Sequence, residues 1–468
     1  MRKQRYLKAV VVVLVVSAAS WTPNAVLIQS HAQKIAQGVT QPTAQMPRQA
    51  IYQQRELSAP PEIKTLLARL RAENKAKGLH YSVGYTSALD RSFGQLTGLV
   101  VPHDLGAQAI KRHAVARQLD AIDNTARDEY KRRTNANLYE LRFGGVANSA
   151  SFDWRKLGKV TPVRDQGQCG SCWAFAALGA YEGSYLIRNG VAADASEQDV
   201  LDCSKAGSCK GGWHTNVFDY LSATGDAEES SYATYKAAQG TCSAVKTPPL
   251  HAVTWDYVAH DMIPGTQNQR MPTVKELKDA LTTYGPLAVT VFVTPQFQSY
   301  TGGDEPFNEP KSESEEYVTP PDPKNKDYPN GQKFKVDADG RAYAVDPKSG
   351  KYYVTNHVVT LIGWDDAKQA WLIKNSWGTS WGDTCGYGDE RGYMWINYKT
   401  NNVGYAAAWV KAKSNYYELP PQFNTILSAT YPDRMVTTPI QVRRETPVVV
   451  NAPKKPAAPP AQKPTVRN

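Results

Sequence analysis

Hydrophobic positions change texture four times along this chain. Ala9 to Ala19 form one short apolar run behind Arg2, Lys3, Arg5 and Lys8. That layout is an export signal, expected over residues 1–32, and the run is short for a spanning helix. AQGVTQPTAQMPRQA then lacks large apolar residues and reads as linker. Further on, Ile63, Leu66, Leu67 and Leu70 recur at helical spacing, with a stop at Gly78. HYSVGYTSALDRSFGQLTGLVVP is short strand and turn material, and GAQAIKRHAVARQLDAIDNTARDEYKRR predicts a long charged helix. Helices this polar are expected to dock on something else.

From Ser151 onward aromatic residues and glycines rise. After Gly170, Ser171 is a good N-cap, and Trp173, Ala177, Ala180, Leu186 and Ile187 follow at roughly helical spacing, with Asn189–Gly190 as the stop. GPLAVTVFV reads as a strand. The runs His357–Trp364 and Trp371–Trp377 flank the turn-like DDAKQ and predict a hairpin. Residues 412–468 are expected to be an extended, basic, Pro-rich tail. There is no internal repeat.

Charge sharpens this division. The 468 residues carry a net +10, but residues 1–150 hold +11, residues 151–411 hold −6 and residues 412–468 hold +5. A nucleic-acid binder concentrates basic charge on its folded domain, so no nucleic-acid partner is expected. The basic front is suited to lie against an acidic partner in the same chain.

Five of the six cysteines fall between residues 169 and 242. Cys169 and Cys172 are spaced as a redox or metal pair, as halves of two disulfides, or as a bridge cysteine beside a nucleophile. In a first helical turn, unpaired N–H groups and the macrodipole stabilise an anion, so the Cys172 thiol pKa is expected to fall. The hairpin supplies a base. Its second strand brings Asn375 within a couple of pairings of His357, where an amide oxygen fixes the imidazole tautomer.

PVRDQGQCGSCWAF, SEQDVLDC, CKGGW, NHVV and LIKNSWGTSWG, in that order over residues 151–411, resemble the papain-like cysteine peptidases. The resemblance implies an α+β, two-lobed fold preceded by a propeptide at residues 33–150. A helical lobe would carry Cys172, and a β-barrel-like lobe would carry His357 and Asn375. Cys172 would be the nucleophile, His357 its base, Asn375 the residue orienting His357, and Gln166 an oxyanion donor. Trp377 would shield the His357–Asn375 bond. Gly211 and Gly212 would pair with extended substrate, and Trp213, Val358 and Ala408 would contribute to a side-chain pocket. The implied disulfides are Cys169–Cys209 and Cys203–Cys242, and the chemistry calls for no metal or cofactor. The expected protein is a secreted, periplasmic or cell-surface endopeptidase. It would be monomeric, act on protein or peptide substrates and be inhibited by its own propeptide. The rivals are a silent peptide- or surface-binding relative and a transpeptidase.

Three features depart from the resemblance. His357 lies 185 residues after Cys172 because of an insertion at about 303–353, read as strands around DADGR and DPKSGK and suited to cover part of the cleft. Cys385 is left over, as a free surface thiol or an intermolecular link. The front region lacks the usual long-helix prosegment signature, and its docking is expected to weaken as acid neutralises carboxylates on residues 151–411.

Overall fold

The computed structural model describes residues 49–136, 146–243, 245, 248–310, 317–318, 333–337 and 339–434. The expected export signal and the Pro-rich end of the tail lie outside the described residues. Among the described residues, no helix is long and apolar enough to cross a membrane.

The helix predicted after Gly170 runs Cys172–Asn189 and ends on Gly190, whose φ of 74° needs glycine's freedom. Every residue from Cys172 to Ser184 is buried, so this helix is enclosed on all sides. It packs on the helix His214–Ala223 and on the strands His357–Asp365 and Tyr405–Ala412. Ser171 precedes the helix, but its hydroxyl makes no capping bond. That hydroxyl pairs instead with the Tyr235 hydroxyl at 2.6 Å. Two disulfides, Cys169–Cys209 and Cys203–Cys242, staple this lobe as the resemblance implied. Each spans about 40 residues, a loop whose closure is worth roughly 4 kcal/mol.

The second lobe is a seven-stranded antiparallel sheet. Its strands run in the order Tyr393–Asn397, Ala370–Lys374, His357–Asp365, Leu287–Val291, Tyr405–Ala412 and Ala252–Tyr257, with Ser151–Asp153 added beside His357–Asp365. The predicted hairpin forms with Thr360 opposite Lys374. His357 opens its strand and pairs with Val291. Six tryptophans, Trp154, Trp173, Trp364, Trp371, Trp377 and Trp381, are fully buried in the cores of the two lobes.

The insertion folds, where described, into a four-stranded antiparallel sheet of Tyr317–Val318, Lys333–Val336, Ala342–Asp346 and Gly350–Tyr353. Asn402 ties it to the β lobe, donating to the carbonyls of Ala342 and Val354 and accepting from the Ala342 N–H. Tyr353 packs into the same apolar cluster as Trp213 and Val358.

The front region embraces both lobes. Pro61–Ala76 is the predicted helix, and Tyr81–Val83 pairs antiparallel with Tyr300–Gly303 of the β lobe. Leu105–Thr134 is a single helix of 30 residues, lying C-terminal to the part of the front region that crosses the cleft. Its Arg112 donates to the Trp255 carbonyl, Thr254 Oγ1 and the Tyr431 hydroxyl, each at 2.9 Å. Its Asp123 is fully buried, bonded to Arg188 at 3.0 Å, Lys411 at 2.6 Å and the Tyr417 hydroxyl at 2.9 Å.

The expected tail begins too early. Residues 412–434 fold back, and the helix Pro421–Thr430 buries Phe423 and Leu427 against Leu119 of the long front helix and Ala223 and Val253. Apolar spacing in PQFNTILSAT was masked by its proline-rich surroundings. Cys385 is also less exposed than expected: it is half-buried against the β-lobe core, and burial raises its thiol pKa.

Candidate active site

Cys172, His357, Asn375 and Gln166 are all buried. His357 Nε2 bonds to Asn375 Oδ1 at 2.8 Å, and the same oxygen accepts the Ser376 N–H at 2.9 Å. An amide oxygen holding two bonds is fixed in orientation, so the imidazole presents Nε2 to Asn375 and keeps Nδ1 for other work. Trp377 lies beside His357 with ring centroids 4.8 Å apart, and Phe297 and Trp381 pack edge-on behind it.

Gln166 is bonded at both ends. Its Oε1 accepts from the Ser376 hydroxyl at 2.8 Å, and its main-chain N–H donates to the Ser376 carbonyl at 2.8 Å. Its Nε2 donates to the carbonyls of Cys169 at 3.0 Å, Gln95 at 3.1 Å and Leu96 at 3.3 Å. Gln95 and Leu96 belong to the front region. The side chain that could donate to a reacting carbonyl therefore donates here to carbonyls of the chain's own front segment.

That segment continues across the site. Gly212 donates its N–H to the Gly98 carbonyl at 3.2 Å and accepts from the Val100 N–H at 3.0 Å, which makes a parallel bridge to Leu99. Gly211, with φ of 129°, lies under Val100, whose methyl would stand 3.0 Å from a Cβ there. Leu99 and Val101 pack against the cluster that holds Trp213, Val358 and Ala408. The Trp213 indole itself is buried, donating to the Tyr257 hydroxyl at 2.9 Å.

The electrostatics follow from this cover. Burial pushes the Cys172 thiol up to about 11, against partial help from the backbone of Val358, Gly98, Trp173 and Cys172 itself. Burial likewise pulls His357 down to about 4, with the Asn375 bond and the Leu96 carbonyl opposing only in part. The expected fall in the thiol pKa is thus reversed in the covered chain. A helix N-terminus contributes of order 1 kcal/mol, whereas removing water from a charged group costs several. Both groups are neutral at pH 7.

Gly98, Gln95 and Ser376 are partners that the sequence reading did not single out. A glycine between the apolar residues of LTGLVV was the available signal, since glycine inside a strand-like run marks close backbone approach.

With this geometry in place, the comparisons fall into line. The family description "Papain family cysteine protease" matches residues 148–316 and 334–412. "Cysteine proteinase 2" of Entamoeba histolytica is 30% identical over 284 residues, covering 59% of this chain and 72% of that protein. "Cathepsin L-like peptidase" of Aedes aegypti is 32% identical over 240 residues, covering 50% of this chain and 56% of that protein. Among solved structures, digestive procathepsin L2 proteinase from Tenebrio molitor is similar at a TM-score of 0.48 and 23% identity, over 82% of this chain and 99% of that one.

A Cβ on Gly98 would stand 1.7 Å from the Gly170 carbonyl oxygen. Gly98→Ala should therefore unseat the segment without touching the site. Overpacking of this kind costs roughly 1–3 kcal/mol, so the unprocessed variant should react with a thiol-directed epoxide at Cys172 about 10-fold faster or more than the unaltered chain. Equal labelling rates, read by mass spectrometry, would mean that this contact does not seal the site.

Proposed function

Because this chain belongs to the papain family of cysteine proteases and is a papain-like cysteine peptidase, we propose that it is an exported endopeptidase made as a zymogen. In this reading, residues 49–136 act as its intramolecular inhibitor. The observation that carries the proposal is the position of Gln95–Val101, whose backbone occupies Gln166 and Gly212 together while burying Cys172 and His357.

Once the segment leaves, water returns and the balance of terms changes. Cys172 then sits at a solvated helix N-terminus with His357 as its proton partner, and the neutral pair gives way to thiolate and imidazolium. The thiolate attacks a peptide carbonyl. Gln166 Nε2, freed from the Gln95 and Leu96 carbonyls, joins the Cys172 N–H in stabilising the oxyanion. The C–N bond breaks as His357 gives its proton to the leaving amine, which leaves a thioester on Cys172. His357 then takes a proton from water, which attacks the thioester, and the carboxylate product departs with Cys172 restored. Asn375 keeps the imidazole oriented through both proton transfers. Gly212 would exchange its two bonds to the front segment for bonds to extended substrate. Leu99, seated against the Trp213 and Val358 cluster, supports a preference for an apolar substrate side chain there.

Hydrolysis is favoured over silent binding because all four groups are intact, and the transpeptidase reading differs only in the acceptor. The trimmed chain should cut an unfolded protein into internal peptides. Cys172→Ala should abolish cutting, and Gln166→Ala should lower kcat by about 10²–10³ with a smaller change in KM. Mass spectrometry of products with an added amine separates the readings: amine-capped peptides dominating would replace hydrolase with transpeptidase, and no cleavage by an unlabelled, trimmed chain whose Cys172 reacts with the epoxide would leave a binding protein.

The cover also implies how acid acts. Interface charge is mixed rather than basic on acidic: Arg91 pairs with Asp165, but the front region's Asp123 pairs with Arg188 and Lys411. Burial alone would raise the Asp123 carboxyl, yet Arg188 and Lys411 hold it down at about 2, so its contribution to docking is lost only as pH falls through that value. His357 behaves differently. Its covered pKa of about 4 lies below the ordinary value of 6.5, so protons bind the uncovered form better. In a chain without the Cys172 thiol, where the uncovered imidazole has no thiolate partner, docking is intact above about 6.5 and is weakened progressively between there and about 4, by up to about 3 kcal/mol. In a Cys172→Ala chain nicked between residues 136 and 146, the front fragment should dissociate more readily at pH 4.5 than at pH 7. Adding His357→Ala should flatten that dependence, and an unchanged slope would point to other groups.

A further inference from the structure

One cluster on the long front helix has no part in the chemistry above. His113 of Leu105–Thr134 places Nδ1 2.7 Å from Asp256 Oδ2, and His260 places Nε2 3.0 Å from the same oxygen. The two imidazole rings lie 3.8 Å apart at 32°. All three donor atoms fall within 4.8 Å of one another. Asp256 is buried and sits at the end of the strand Ala252–Tyr257, while both histidines are part-exposed.

We propose that His113, Asp256 and His260 form a binding site for a divalent transition-metal ion of the zinc class, and that the ion joins the front helix to the peptidase body. Three features support a site rather than a chance contact. Each ligand comes with its own support. Arg112, the neighbour of His113, is anchored by three bonds to Trp255, Thr254 and Tyr431, which fixes the helix at this point. Asp256 Oδ1 accepts the Tyr257 N–H at 2.9 Å, which leaves Oδ2 for a shared partner. Such outer bonds hold metal ligands in orientation. His260 follows Asp256 by four residues, so one short stretch of chain sets the spacing of these two ligands.

The donor set is also selective. Two imidazole nitrogens and one carboxylate oxygen suit zinc and its neighbours, whereas calcium and magnesium prefer oxygen alone. Around zinc, with bonds of about 2.0 Å, tetrahedral ligands stand about 3.3 Å apart; the two nitrogen–oxygen separations of 2.7 and 3.0 Å lie close to that, and the two nitrogens lie within 4.8 Å of each other. Finally, the cluster borders a cavity of about 270 Å³ floored by Tyr284 and Trp409, whose rings stack 3.7 Å apart. That space admits water as a fourth ligand. Asp120, Glu276 and Asp279 line the same cavity, each paired with a cation: Lys411, Arg270 and Lys275 respectively.

The site spans two parts of the chain that processing would separate, because His113 lies in the front region and the other ligands lie in the body. The test uses the full chain carrying Cys172→Ala and Cys385→Ser, which stops processing and removes both free thiols. Calorimetric titration with Zn²⁺ should give one ion per chain, and Co²⁺ should develop the visible absorption of a four-coordinate site. His113→Ala and His260→Gln should each weaken Zn²⁺ binding by about 100-fold with an unchanged circular dichroism spectrum. Loss with His260→Gln but not with His113→Ala would overturn the joining role. Binding that survives the double variant, or no binding by a folded chain, would overturn the site and leave a metal-free hydrogen-bonded trio.

Discussion

Removal of water from one cysteine and one histidine is the constraint on which the rest of this structure turns. Gln95 to Val101 achieves it with backbone bonds and with the side chains of Leu99 and Val101 packed on the cluster that holds Cys172. Two carbonyls engage Gln166, two bonds engage Gly212, and Gly98 lies against Gly170 so closely that a single methyl group would not fit. No side chain of the segment has to enter the reacting atoms. The same thiol that a solvated helix N-terminus would ionise is held neutral, because the cost of burying a charge exceeds what a helix dipole returns.

A segment of seven residues cannot hold such a position unaided, and the flanking elements explain how it is held. Before it, Tyr81–Val83 pairs with Tyr300–Gly303, Thr86 Oγ1 donates to the Gln298 carbonyl and Gln298 Nε2 donates to the Ala88 carbonyl, both at 2.7 Å. After it, the long helix inserts Arg112 and Asp123 into the body. Asp123, itself fully buried, meets Arg188 and Lys411, and removing one partner from a buried ion pair usually costs about 3–5 kcal/mol. The helix Pro421–Thr430 then packs on the long helix, so the early part of the tail belongs to the same clamp. Cover and chemistry are separable in this design: the clamps sit away from the reacting atoms and can be loosened without altering them.

Much of this was legible in the sequence because the deciding signals are local. The cysteine helix, its glycine stop and the His357–Asn375 hairpin follow from periodicity, a turn and strand geometry. The disulfides and the lobed fold followed from the resemblance and not from spacing. What escaped notice depends on long-range packing. The Cys172 pKa inverts because residues about 75 positions earlier cover it. Ser171 gives up its cap because Tyr235 lies nearby. Residues 421–430 become a helix because Leu119 offers an apolar surface, despite the prolines around them. The long helix Leu105–Thr134 was read correctly as polar and in need of a partner, but its charges meet both signs, so an argument from net charge mis-stated how it docks.

The most direct test of the account is a pH titration of the Cys172 thiolate by its ultraviolet absorbance. It compares the unprocessed full chain, its integrity checked by mass spectrometry before and after the titration, with the chain freed of its front region; Cys385→Ser in both leaves one titrating thiol. The account predicts no thiolate in the full chain until pH approaches about 11, and a thiolate already present near neutral pH once the front region is gone. A thiolate at neutral pH in the covered chain would contradict it, because the segment would then block access to a charged pair rather than hold the pair neutral.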